Sequence, residues 1–234
     1  MTRQRYFFLL LLPLVTTLLG GCNQTRDVIL PHTTAIFPVA QGLYRISEVI
    51  DTTFNTGGAV AARFYKKEEI SGTETDLTGR TVYRLDTYHS DFDRGLDFDW
   101  KYYLLGTIFY EPRETGDYYA ERTENNVRIQ VLRFPVHTLV SWNGNLYNNL
   151  GAQEFYYGNV DTSVVVKGVT YDHCVMVVQE KTEGLIRQSF AYEIYAPEIG
   201  LIKKYNRTLV NDGAMGEFNP DKSRIYIEEL VEHN

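Results

Sequence analysis

A series of strands joined by very short turns restricts this chain more than any other feature. Residues 163–166 and 169–179 flank Lys167-Gly168, the two-residue spacing of a tight hairpin. Glu183-Gly184 precedes 185–196, where Ile186, Phe190, Tyr192 and Ile194 share one face and Arg187, Ser189 and Glu193 the other. A period of two marks a half-buried strand. Pro197-Glu198-Ile199-Gly200 turns the chain into 201–210, and 224–231 follows a polar loop. Turns this short leave room only for antiparallel neighbours, a meander. Residues 169–179 are apolar on both faces, with Cys174, Met176 and Val178 on one and Tyr171, Val175 and Val177 on the other. A strand of that kind is covered on both sides. The sheet must therefore curve strongly, with its own side chains or a ligand packed into the concave face.

The rest of the chain reads the same way. Strands are expected over 43–50, 60–70, 81–88, 100–110, 118–123 and 127–134, with Asn125-Asn126 as a further hairpin turn. The 18 tyrosines outnumber phenylalanine and tryptophan together, and Tyr, Val, Ile and Thr favour strands. No segment carries a sustained apolar stripe of period 3.6 with a cap and a stop. The expected fold is all-β: a strongly curved antiparallel meander sheet forming a half-barrel or barrel, with little helix.

The N-terminus is an export signal. Arg3 and Arg5 precede an apolar run from Tyr6 to Leu19, and Leu19-Gly20-Gly21-Cys22 matches the lipobox of bacterial lipoproteins. Small residues let a peptidase grip extended backbone before the cut, and only the Cys22 thiolate accepts diacylglycerol. Residues 1–21 are thus read as a lipoprotein signal peptide, 22–36 as a lipidated, palmitate-bearing tether and 37–234 as a single β domain. More than one acyl chain anchors stably, so the expected location is the outer membrane, lipid-anchored, on the periplasmic face. Asn23 stands where an inner-membrane retention signal would carry Asp, and Gln24-Thr25-Arg26-Asp27 lacks a surface-export cluster.

Charge narrows the partners. The net charge is −7, and −9 without residues 1–21, which hold two arginines and no acid. Nucleic acid is disfavoured, because phosphate binding needs a basic patch. Cys22 is acylated, so Cys174 has no partner within the chain and behaves as a small buried hydrophobe. His32, His89, His137, His173 and His233 show no metal-ligand spacing, and His173 and Cys174 point to opposite faces of one strand. Asp91, Asp93, Asp97 and Asp99 crowd Gly95 without the alternation of a calcium loop and read as a solvated acidic loop. No catalytic residue, metal or cofactor is expected. Trp142-Asn143-Gly144-Asn145-Leu146-Tyr147 is the least ordinary segment. Asn-Gly suits the positive φ of a tight turn. Over a barrel mouth, Trp142 and Tyr147 would offer apolar faces, and Asn143 and Asn145 amide hydrogen bonds.

Several strings resemble a group of uncharacterised outer-membrane lipoproteins of Bacteroidetes. They are Phe37-Pro38-Val39-Ala40-Gln41-Gly42-Leu43-Tyr44, Gly79-Arg80-Thr81-Val82-Tyr83-Arg84-Leu85, Phe134-Pro135-Val136 with Trp142-Asn143-Gly144-Asn145, and Tyr195-Ala196-Pro197-Glu198-Ile199-Gly200-Leu201-Ile202-Lys203. Leu43 stands where the first motif often carries a bulkier aromatic. The resemblance implies a lipoprotein and names no task. More distantly, tether plus meander is similar in architecture to the half-barrel carriers LolA and LolB, whose residue motifs are not found here; fold does not carry function. The resulting expectation is a non-enzymatic envelope lipoprotein that binds an apolar or amphipathic molecule, a lipid or acylated ligand, in the concave face. Trp142, Asn143, Asn145, Tyr147, Phe190 and Tyr192 are the candidate contacts. The alternative is a structural or assembly lipoprotein acting through protein contacts.

Overall fold

The structure is a computed structural model that describes residues 33–55, 58–94, 98–111, 116–211, 219 and 222–234. The segment read as an export signal, Cys22 and most of the expected tether lie outside the described residues. Twelve strands make one sheet: β1 (Tyr44–Asn55), β2 (Gly58–Thr75), β3 (Thr81–Asp91), β4 (Lys101–Tyr110), β5 (Tyr118–Glu124), β6 (Val127–Phe134), β7 (Ser141–Asn143), β8 (Glu154–Val166), β9 (Val169–Glu183), β10 (Arg187–Ala196), β11 (Gly200–Val210) and β12 (Arg224–His233). Two short 3-10 turns, Thr33–Ile36 and Phe92–Arg94, are the helical content of the described residues.

The spatial order is β6-β5-β4-β3-β2-β1-β12-β11-β10-β9-β8-β7. Every pairing is antiparallel, as expected from the turns. The first and last strands lie side by side, with Ile50 opposite Ile227. Two meanders therefore run away from that pair and meet at the edge strands β6 and β7. The two-residue turns Asn125-Asn126 and Lys167-Gly168 take the left-handed conformation that matches strand twist, with φ of 49° and 62° in the first and 50° and 83° in the second.

The meeting of β6 with β7 is a seam rather than a ladder. One backbone bond crosses it, from Gln130 N to Gly144 O at 2.9 Å. Side chains supply the rest. The Trp142 indole N–H donates to Gln130 O at 2.9 Å, and Asn148 Nδ2 to Arg128 O at 2.9 Å. The Tyr157 hydroxyl accepts from Arg133 N at 3.1 Å and donates to Arg133 O. An open edge exposes unpaired backbone groups; here they find partners and the sheet is nearly closed into a barrel. Gly144 is needed for close approach, since a Cβ there would stand 2.5 Å from the Phe155 ring. That role, rather than the positive φ expected of Asn-Gly, explains the glycine.

One end of the barrel is filled with apolar side chains. Ile36 and Phe37 enter it, Phe37 meeting Tyr110 edge-on at 5.4 Å and Tyr195 at 6.2 Å. Leu85, Ile108, Leu132, Phe134, Val175, Val177 and Leu201 complete that layer. Contacts with the barrel begin just before residue 37: Ile36 is fully buried, and Ala35 O accepts from Glu198 N at 2.7 Å. Ile36 and Phe37 dock because burying their side chains in the apolar barrel end removes them from water.

A second core lies on the opposite side of the sheet. The β8–β9 pairing slips at three places, and Asp161 and His173 adopt left-handed φ of 62° and 56°. Bulges bend the strand that carries them. The hairpin tip leaves the barrel and packs Val166, Cys174 and Tyr171 against Tyr192, Ile194, Ala196 and Ile202. Lys167 at the tip reaches Glu48 at 2.9 Å. Residues 174–177 are therefore covered on both sides: Val175 and Val177 face the barrel core, Cys174 and Met176 the outer one, whereas Val169, Thr170, Asp172 and His173 nearer the tip are exposed.

Candidate functional site: a charged cavity at the open end

Among the described residues, the strand ends opposite Phe37 surround an open cavity of about 640 Å³. The inward positions alternate along each strand: Phe64, Lys66 and Glu68 on β2, Thr87 and His89 on β3, Lys204, Asn206 and Thr208 on β11, and Arg224, Tyr226 and Glu228 on β12. Arg122 and Glu124 enter from β5. A second lobe of about 450 Å³ runs toward the seam beneath Asn145, Leu150 and Gln153. The two lobes share Arg122, Glu124, Lys204 and Asn206.

The charges on this wall are paired with one another. Lys66 Nζ lies 2.6 Å from Glu228 and 3.1 Å from Glu68. Glu68 also meets Arg45 at 2.8 Å, and Arg122, which bonds Glu124 as well. Lys204 meets Glu193 at 2.8 Å, and Tyr195 Oη donates to Glu193 at 2.5 Å. Tyr226 Oη donates to Glu228 at 2.9 Å. Burial pushes the Glu68 carboxyl up, but Arg122, Lys66 and Arg45 outweigh it and hold it well below the usual carboxylate range. Burial likewise raises Glu193, yet Lys204 and the Tyr195 hydroxyl bring it down to about 2. Glu193 in turn raises Lys204, while the acids around Lys66 override the burial that would lower it.

At the rim, three rings cluster: Phe64 meets His89 at 4.5 Å and a tilt of 39°, and His89 stacks on Tyr103 at 3.9 Å and 16°. Tyr103 is the extra residue where the β3–β4 register slips, which frees its side chain for the mouth. Burial and the nearby Lys66 lower the His89 pKa, so its ring is neutral at pH 7. Across the mouth, Arg224 clasps Asp51 through two bonds of 2.7 and 2.6 Å.

The residues singled out in the sequence fall elsewhere. Trp142 is a seam residue, buried with its indole N–H committed. Asn143 Oδ1 accepts from the Asn145 and Gln153 backbone amides at 3.1 and 3.0 Å, holding the turn. Tyr147 is part-exposed outside, with Arg128 over its ring at 4.2 Å. Of that segment only Asn145 lines the cavity's second lobe. Phe190 and Tyr192 share one face and cluster with Tyr205, opposite Ala191 and Glu193 of the cavity wall. The apolar row of β10 thus points outward and the polar row inward, the reverse of the expected lining. The row's partner is the β8–β9 tip, and that contact leaves no local trace in β10. Among the described residues no group of three or more His, Cys, Asp or Glu is placed to hold a metal. Asp97 of the acidic loop lies outside them.

Paired Lys and Glu two apart on one strand, as in Lys66 and Glu68, were the available signal for the site. It was masked by Lys67 and Glu69, which give the same charges to the other face.

No family model and no curated protein matches the sequence. Among solved structures, a presumed lipoprotein from Parabacteroides distasonis is similar at 10% identity, covering 86% of this chain and 98% of its own, with a TM-score of 0.34. A presumed exported protein with a YmcC-like fold from Bacteroides fragilis is similar at 11% identity, covering 85% and 98%, with a TM-score of 0.37. Identities and scores this low carry no argument about the present chain.

Proposed function

We propose that this chain is a lipid-anchored envelope protein that binds a polar molecule, without transforming it, in the open end of its barrel. The cavity carries this reading: about 640 Å³ of space lined mostly by charged and hydrogen-bonding side chains, with Phe64, Tyr103 and Leu104 among them, and open among the described residues at the end away from Phe37. Small-ligand sites typically span roughly 300–1,000 Å³. An acyl chain there would lie against Lys66, Glu68, Lys204 and Glu228 and strip water from them without returning a hydrogen bond, which is costly. The lining therefore favours a polar ligand over the apolar one expected from the sequence. Binding without chemistry fits the four charged groups of the floor. Glu68 and Glu193 are held low and Lys66 and Lys204 high, whereas general acid–base catalysis uses groups poised near the working pH. The assembly reading has the adjacent Leu185 and Ile186 in its favour, exposed at the β9–β10 turn, but two side chains are far smaller than the apolar patches that mark interaction surfaces.

The test is affinity selection from a mixture of polar metabolites and glycans, with residues 23–234 and an Asn206→Trp variant that fills the cavity. Retention by the first and not the second supports the reading. Equal retention, or none, contradicts it. The anchor is tested separately: Cys22→Ser should abolish acyl labelling, and labelling that persists would refute it.

A further inference from the structure

Granting a polar ligand in the cavity, three features of the wall narrow its class. The first is charge. Lys66, Arg122 and Lys204 each hold an acid, and Glu68, Glu193 and Glu228 each a cation or hydroxyl. An anion or a cation would have to break a buried pair to be neutralised, and a buried charge left alone is expensive. A neutral molecule with many hydroxyls needs no such exchange. It can donate to carboxylate lone pairs and accept from guanidinium N–H groups that the pairs leave over, since Arg offers five donors and a carboxylate about four acceptor sites.

The second feature is the rim. Tyr103 is 62% exposed. Its ring is stacked from behind on His89, which Phe64 supports in turn. A flat apolar face beside a hydrogen-bonding wall suits a molecule with an apolar face and a polar edge. A pyranose has that form, with C–H bonds on its faces and hydroxyls around its rim. The third is shape. Two lobes of about 640 and 450 Å³ join through Arg122, Glu124, Lys204 and Asn206, which makes the space long rather than round. The hydroxyl of Thr87, in the same wall, is buried and has no hydrogen-bond partner among the described residues.

We propose that the ligand is a neutral oligosaccharide, with one ring on Tyr103 and further rings running past Arg122 and Lys204 into the second lobe. The proposal rests on the polar-ligand reading and is separable from it by experiment. Residues 23–234 would be applied to a glycan array spanning neutral, uronic-acid and sulfated chains, followed by calorimetric titration of the best neutral chain and of its monosaccharide unit. The expected result is saturable binding of a neutral chain, at least tenfold tighter than the monosaccharide. Tyr103→Ala should weaken it tenfold or more, and Asn206→Trp should abolish it, with both variants folded by circular dichroism. Preference for charged glycans, or binding unaffected by both variants, overturns the proposal. If the array is blank while affinity selection retains some other polar compound in an Asn206→Trp-sensitive way, the oligosaccharide assignment fails and the polar-ligand reading stands. If both are blank, both fall.

Discussion

Replacing Lys66 by Met removes the cation at the centre of the cavity floor while keeping most of its volume. Lys66 lies 2.6 Å from Glu228 and 3.1 Å from Glu68, and the side chains of all three are nearly shut off from solvent, at 11%, 3% and 3% exposed. At an effective dielectric near 20, a pair at that shorter distance attracts by about 6 kcal/mol before desolvation is charged against it. The net loss on removing one partner of a buried pair is about 3–5 kcal/mol. The two acids are not left equally exposed to that loss. Glu68 keeps Arg45 and Arg122, whereas Glu228 keeps the Tyr226 hydroxyl. Most of the penalty should therefore be the stranded charge of Glu228. Urea unfolding of residues 23–234 should show Lys66→Met destabilised by about 3–5 kcal/mol. Adding Glu228→Gln should recover more than about 1 kcal/mol of it, a coupling typical of residues in one network. A Lys66→Met cost below about 1 kcal/mol, or a double variant no more stable than the single one, would refute the idea that the wall is a mutually neutralised network.

Two further outcomes follow from the same structure. Trp142→Phe removes the indole donor at the seam and leaves Gln130 O without it; the expected cost is about 1–3 kcal/mol, with faster hydrogen exchange at the Gln130 amide, and wild-type stability would contradict the seam role. In acid, Glu193 is held at about 2 against an ordinary 4.5. A lowered folded-state pKa gives stability that is complete above the unfolded value and is lost as pH falls through the folded one. Glu193 should thus contribute about 3 kcal/mol at neutral pH, lost between about pH 5 and pH 2. Unfolding free energy measured across that window should fall less steeply in Glu193→Gln, and an unchanged slope would be against it.

The strand order of the C-terminal half was legible because its turns are too short for anything but antiparallel neighbours, as at Lys167-Gly168. Strands β7 and most of β8 were not. Gly158, Asn159 and Asp161 make 154–162 look like a loop, and the pairing tolerates them through slips in register. Coverage on both sides was expected along all of 169–179, but Val169, Thr170, Asp172 and His173 are exposed and it holds over 174–177, while the identity of the cover was not legible. Half of it is the hairpin's own tip folding back, a non-local contact. That missing contact also inverted the site. An amphipathic strand shows which residues share a face, but not which face is inward when a barrel has a core on each side. Phe190 and Tyr192 were therefore placed inside, and Glu193 and Ser189 outside, the opposite of their positions.

Access to the barrel interior is the measurement that bears most directly on the cavity. In residues 23–234 the native thiol is Cys174, fully buried in the outer core, with its pKa pushed by burial up to about 11. An Asn206→Cys variant places a second thiol on the cavity wall. With a small cationic methanethiosulfonate reagent, the folded variant should take up one label quickly at position 206, and Cys174 should stay unlabelled until the protein unfolds. A thiol at 206 as protected as Cys174 would mean that the barrel's open end is closed, and the binding cavity with it.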